Sequence, residues 1–148
     1  MVAILLIFVA LLPFGSRDSD PVRITVRPQQ VYIEHGTANQ LLNFDFLLEN
    51  RTENKLRIDS IRMSVFDARN KLMLRQVVDQ HGLSPSIYTI PKLELDAKSS
   101  LYLFNPFYSF EPDLKFTTLK YEFVFSTEDG QIQYQSNEID TGNILEAP

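Results

Sequence analysis

The sequence predicts an all-β protein, an antiparallel sandwich of two sheets. Apolar residues recur at every second position in residues 42–48 and 119–125, which is the period of a strand with one buried face. Turn-forming residues separate such runs, as in 50–55 and 128–130. The 148 residues include 11 Phe and 6 Tyr but only 5 Gly, a composition that favours strands over helices.

The first half of the chain is predicted to form strands at 22–27, 30–34, 41–49, 56–67 and 72–78. Pro28 ends the first of them, because proline cannot donate to a sheet ladder. Within 56–67 the apolar phase changes after Ile58, and one extra residue near Asp59 and Ser60, a β-bulge, accounts for the change. The stretch 40–67 indicates two half-buried strands joined by a polar turn, and we expect them to pair as a hairpin.

The second half begins with a stretch, residues 79–91, that has no period, so we predict a long crossover containing one helical turn. Strands at 92–96 and 99–104 are expected to pair around the turn 96–98. Asp-Gly after the run 119–125 predicts a hairpin that returns through Ile132 and Tyr134. Together these elements predict an immunoglobulin-like antiparallel β-sandwich of about seven to nine strands.

The chain length indicates one folded domain, predicted to be residues 22–140. Residues 2–12 form an uninterrupted apolar run, shorter than the roughly 20 residues that cross a bilayer, so residues 1–16 are predicted to be a signal peptide or a short membrane anchor. A polar spacer at 17–21 and a linker-like tail at 141–148 complete the predicted organisation. We expect an exported protein, periplasmic, extracellular or anchored at the cell envelope, with membrane contact only through its N-terminal segment.

Composition and charge argue against several functions. The net charge of -5, with arginines dispersed among acids, argues against nucleic acid as a partner. The absence of cysteine excludes thiolate metal sites and cysteine nucleophiles. His35 and His81 fall in different predicted loops, and the pair Asp79 and His81 is interpreted as a solvated loop pair. We therefore predict no metal and no other cofactor.

Catalytic patterns are also missing from the sequence. No Gly-x-Ser-x-Gly motif and no glycine-rich phosphate loop occurs. Glu111 and Asp113 flank a proline and are interpreted as turn acids that face water, not as a hydrolytic pair. The prediction is that this chain is not an enzyme.

A formal glycosylation sequon, Asn50-Arg51-Thr52, lies at the predicted turn of the first hairpin. That position would expose Asn50. Turn chemistry explains the same residues, because Asn tolerates left-handed backbone angles and Thr satisfies backbone donors.

Aromatic residues cluster late in the chain. In strand 99–104, Leu101 and Leu103 share one face while Tyr102 and Phe104 share the other, so neither face is polar. We predict that four of these aromatics form a docking surface for a downstream domain or a protein partner: Tyr102, Phe104, Phe107 and Tyr108. Two alternatives remain at this stage, stacking on a cell-wall glycan and simple folding of loop aromatics under the sandwich edge.

Several segments carry a resemblance to a known family: VRITVRPQQVYI, LLENRTENKLRIDSIRMSVFD, HGLSP and EFVFSTEDG. Residues 22–140 resemble the N-terminal immunoglobulin-like module that precedes the catalytic domain in some exported bacterial lysostaphin-like, peptidoglycan-cleaving zinc metallopeptidases. The zinc signature of that family, His-x-x-x-Asp followed by His-x-His, is absent. The resemblance implies an accessory domain without catalytic residues. The alternative is a free-standing extracytoplasmic binding protein for a glycan or a protein partner.

Overall fold

The computed structural model describes residues 19–82 and 86–148. The predicted export segment, residues 1–16, lies outside this part of the chain, as do the first two residues of the predicted spacer. None of the described residues belongs to a helix that could cross a bilayer. The strands are β1 (Val22–Arg27), β2 (Tyr32–His35), β3 (Gln40–Leu41), β4 (Asp45–Asn50), β5 (Leu56–Phe66), β6 (Leu72–Asp79), β7 (Glu94–Leu95), β8 (Ser100–Phe104), β9 (Ser109–Phe110), β10 (Thr118–Thr127), β11 (Gln133–Gln135), β12 (Ile139–Asp140) and β13 (Leu145–Glu146).

Two sheets form the sandwich. The first sheet has the order β1-β4-β8, and the second sheet has the order β11-β10-β5-β6, with β12 beside β10 and β7 beside β5. The core lies between them, where the Phe46 ring from the first sheet meets the Phe123 ring from the second at a centroid distance of 5.1 Å. The predicted all-β sandwich is confirmed.

The predicted core faces are also confirmed. Because alternation places every second side chain on one face, the strands with the strongest alternation define the buried set. All six residues predicted from this pattern are buried: Phe44, Phe46, Ile61, Met63, Tyr121 and Phe123. Tyr121 makes edge-to-face contacts with Phe44 and Phe46 at centroid distances of 6.0 and 4.8 Å, an arrangement that adds to simple burial.

Two predicted strand pairings are wrong. The strands of 40–67 do not form a hairpin: β4 pairs with β1 and β8, whereas β5 pairs with β10, β6 and β7. Likewise β7 pairs with β5 and β8 pairs with β4, so 92–96 and 99–104 lie in different sheets. In both cases the two strands lie in different sheets, and their apolar faces meet across the core. The B and C strands of an immunoglobulin sandwich are arranged in this way.

Three local predictions are confirmed. Val124 pairs with Ser60 and Phe125 with Ile58, which leaves Asp59 as the extra residue of a β-bulge. β10 and β11 form the late hairpin, with Gly130 at a positive φ of 71° in its turn. The 3₁₀ turn Ile87–Thr89 confirms the predicted helical turn. The segment that contains it joins β6 to β7, which both belong to the second sheet, so the predicted crossover from one sheet to the other is wrong.

The prediction of a linker-like tail at 141–148 is wrong, because this segment packs on the domain. β13 pairs in parallel with β2, and the backbone N–H groups of Leu145 and Ala147 donate to the carbonyls of Val31 and Ile33 at 3.1 and 2.9 Å. Thr141 is buried. A small third sheet with the order β13-β2-β3-β9 results. Strands of two residues carry no readable period, so the sequence pattern could not show them.

Candidate functional site

The outer face of β8 presents aromatic side chains to solvent. Leu103 points into the core, so its neighbours on the strand point outwards: Tyr102 is 63% exposed and Phe104 is 47% exposed. The strand register places Leu47 of β4 directly beside Tyr102. With Leu103 on the inner face and Tyr102 and Phe104 on the outer face, β8 is apolar on both faces, as predicted.

Tyr108 extends the same surface from the loop that follows β8. It is 45% exposed, and its ring lies 5.5 Å from the ring of Phe104, tilted by 48°. The backbone N–H of Leu42 donates to the carbonyl of Tyr108 at 2.8 Å, which fixes the loop to the domain. We call this surface the aromatic face and define it by Leu47, Tyr102, Phe104 and Tyr108.

Phe107 does not belong to the aromatic face, and its predicted place in a docking surface is wrong. It is 3% exposed, and its ring packs 6.3 Å from the ring of Tyr121 in the core. Phe110 is likewise buried, next to Phe116 at 5.1 Å. The loop therefore divides its aromatics, because it crosses the edge of the sandwich and can bury only the side chains that point inwards.

Hydrogen bonds of Asn105 hold the loop in the conformation that buries Phe107 and exposes Tyr108. Its side chain is fully buried, and its Nδ2 donates to the carbonyls of Leu42 and Phe107 at 3.4 and 3.2 Å. Its Oδ1 accepts from the backbone N–H of Phe107 and from the hydroxyl of Tyr121, each at 3.1 Å. Burial raises the pKa of Tyr121, so the phenol stays protonated and donates this bond. Sequence reasoning missed Asn105, since one polar residue in a loop gives no periodic signal.

Charged residues border the aromatic face. Arg27 and Asp45 lie in the row that contains Phe104, and Arg23 and Glu49 form an ion pair at 3.7 Å one row beyond Tyr102. An apolar centre with a charged rim is the usual composition of a protein interface. Surface ion pairs of this kind add little to stability.

The prediction that the sequon exposes Asn50 is wrong, because the side chain of Asn50 is buried and only 3% exposed. Its Nδ2 donates to the carbonyls of Asn54, Leu95 and Asp96 at 2.8, 3.2 and 3.0 Å. Its Oδ1 accepts from the backbone N–H and the hydroxyl of Thr52 at 2.9 and 2.8 Å. The nitrogen that would carry a glycan is thus committed to holding together the two chain segments that cross between the sheets.

Other groups with shifted pKa values serve structural contacts. The hydrogen bond from Lys55 lowers the pKa of Glu94 on the protein surface. The hydroxyl of Thr127 lowers the pKa of Asp129 in the hairpin turn. Within the described ranges, no three His, Asp or Glu side chains are placed to hold a metal ion. Asp79 accepts a turn bond of 2.8 Å from the backbone N–H of His81.

Comparison with known proteins shows a shared fold. No family model matches the sequence, and no curated protein is significantly similar to it. The X-ray structure of a Northeast Structural Genomics Consortium target is similar with a TM-score of 0.54 at 10% identity, over 83% of this chain and 87% of that chain. The crystal structure of a Bordetella pertussis protein provisionally named ApaA has a TM-score of 0.50 at 11% identity, over 92% of this chain and 98% of that chain. At these identities the similarity concerns the fold alone.

Proposed function

We propose that this chain is a non-catalytic, exported binding or positioning module that docks a protein partner through the aromatic face. The observation that supports this proposal is the exposure of Tyr102, Phe104 and Tyr108 on one side of a rigid sheet. Tyr and Phe provide a large contact area for few rotatable bonds, so such side chains often dominate the binding free energy of an interface.

Preorganisation strengthens the argument for binding. Tyr102 and Phe104 stand on a strand that is paired with β4, and the Tyr108 loop is held by the buried Asn105 and by the bond from Leu42. A surface that is already ordered loses less conformational entropy when a partner binds. A loop of solvent-exposed aromatics without such bonds would not have this advantage.

The sequence resemblance supplies the candidate partner. In the lysostaphin-like family a module of this type accompanies a peptidoglycan-cleaving catalytic domain, so we propose an accessory role toward a cell-wall metallopeptidase. The second candidate is a free-standing extracytoplasmic binding protein for a glycan. The adjacent rings of Phe104 and Tyr108 favour that alternative, because aromatic faces can stack on the CH groups of pyranose rings.

Site-specific photo-crosslinking tests the docking proposal. We expect p-benzoylphenylalanine at position 102 or 108 to crosslink one envelope protein in cells of the source organism, because both positions lie on the aromatic face. Phe104→Ser should abolish the crosslink at position 102. The matched control is position 88, since Tyr88 is also an exposed tyrosine but lies outside the aromatic face.

Each outcome of that experiment decides between the proposals. A crosslinked peptidase of the lysostaphin-like class supports the accessory role, and crosslinked cell-wall glycan supports the second candidate. Equal yields at positions 102 and 88, or a crosslink that survives Phe104→Ser, would contradict docking through the aromatic face.

Export is tested with a reporter fusion. Because residues 2–12 form an uncharged apolar run, we expect alkaline phosphatase fused after residue 148 to be active in a bacterial host. The same fusion without residues 1–16 is the control and should be inactive. A fusion that is active only with a cytoplasmic reporter such as β-galactosidase would refute export.

A further inference from the structure

A polar groove crosses the outer face of the second sheet, on the side of the sandwich opposite to the aromatic face. Its volume is about 770 Å³, and it is an open depression, not an enclosed cavity. All of its lining residues belong to the described part of the chain. The register arranges much of the lining in two rows across the strands: Asp79, Ser60, Val124 and Gln135 in one, and Arg57, Ser126 and Gln133 in the other.

The β-bulge of β5 adds polar groups to this groove. Asp59 is the extra residue, and both Asp59 and Ser60 line the groove, whereas a regular strand would turn one of them into the core. Arg57 Nε lies 3.3 Å from Asp59 Oδ1, so these two charges are largely neutralised by each other. Asp79 adds a second carboxylate to the lining, so the groove disfavours an anionic ligand.

Several lining groups have spare hydrogen-bonding capacity. In the part of the chain that the structure describes, the side chains of Ser60, Ser126 and Gln133 form no hydrogen bond with another residue. A hydroxyl and an amide each offer a donor and an acceptor. Val124 lies among them and offers an apolar contact. A ligand that fits this set carries neutral groups that both donate and accept, close to CH surface.

We propose that this groove binds a neutral saccharide. Sugar hydroxyls are neutral, donate and accept, and alternate with the CH groups of the pyranose ring, which matches Ser60, Ser126, Gln133 and Val124. An extended peptide is disfavoured here, because peptides add as strands to a free sheet edge and the backbone groups of β5 and β10 are already paired with neighbouring strands. This site is separate from the aromatic face and does not depend on its role.

NMR titration of the full chain with chitotetraose and maltotetraose tests the proposal. We expect either sugar to shift the backbone amide signals of Ser60, Ser126 and Gln133, with a weak Kd of about 0.1 to 10 mM. Gln133→Ala should weaken binding about tenfold, the effect of roughly one strong hydrogen bond. Gln76→Ala is the matched control, since Gln76 is an exposed glutamine of β6 outside the groove, and it should not change the Kd.

Three results would overturn the proposal. They are the absence of groove shifts with both sugars at about 10 mM, shifts confined to the amides of Tyr102, Phe104 and Tyr108, and an equal loss of affinity in Gln133→Ala and Gln76→Ala. Groove shifts caused by tetra-alanine but not by either sugar would likewise overturn it in favour of a peptide. Failure here leaves the crosslinking test of the aromatic face unaffected, because the two sites share no residue.

Discussion

Asn50→Asp is expected to lower the free energy of unfolding by about 3 to 5 kcal/mol. The substitution keeps the size of the side chain but replaces the Nδ2 donor by an oxygen. The carbonyls of Asn54, Leu95 and Asp96 would then face a buried carboxylate instead of an N–H group. Leaving several buried acceptors unpaired and adding an uncompensated charge are each strongly destabilising.

Chemical denaturation at neutral pH measures this effect, and Asn54→Asp is the matched control. Asn54 is exposed and lies four residues away, so the same chemical change there should alter stability by less than about 0.5 kcal/mol. A loss below about 1 kcal/mol in Asn50→Asp would mean that water or local movement replaces the three bonds. The variant also tests whether the Asn50 side chain is buried, because only a buried amide would lose this much stability when it is replaced by a carboxylate.

The role of Asn50 explains why the sequence predicted strands better than strand partners. Alternation in β4 and β5 shows which side chains are buried, and these faces were predicted correctly. It does not show whether the two apolar faces lie side by side in one sheet or meet across a core. A polar turn between them suits a hairpin and a crossing between sheets equally well. The strand pairing shows that the chain crosses, and the contacts of Asn50 with the 95–96 segment hold the crossing in place.

The loop aromatics show a second limit. Tyr102 and Phe104 were predicted to share a face because they are two residues apart on a strand, and both are exposed. Phe107 and Tyr108 lie in a loop, where no period indicates a direction. Their opposite environments follow from the hydrogen bonds of Asn105, which a residue pattern cannot reveal.

The polar groove could not be predicted at all from the sequence. Its residues come from positions between 57 and 135, and they lie together only through the register of four neighbouring strands. The one local signal was the phase change near Asp59, which was interpreted as a bulge. A bulge indicates where a strand redirects side chains, but the groove also needs Ser126 and Gln133 from the hairpin on the other side of the bulge.

Phe123→Ala is expected to lower the free energy of unfolding by about 3 to 5 kcal/mol, a large part of the stability of a typical domain. The Phe123 ring is fully buried between the sheets, where it meets Phe46 at 5.1 Å and stacks on Phe125 at 5.9 Å. Removing it loses the transfer free energy of the ring and leaves a cavity between two rigid sheets that cannot close over it.

Phe104→Ala makes the same chemical change on the outer face of the first sheet and serves as the control. Because Phe104 is half exposed, less of its apolar surface is removed from water, and we expect a loss of about 1 kcal/mol or less. Denaturant titration of both variants measures the difference. Equal losses would mean that Phe104 is a core residue whose exposure is misjudged, and they would remove the aromatic face as a docking surface. A large loss in Phe123→Ala with a small loss in Phe104→Ala would instead mean that the exposed Phe104 ring contributes little to stability, as expected of a residue that serves binding.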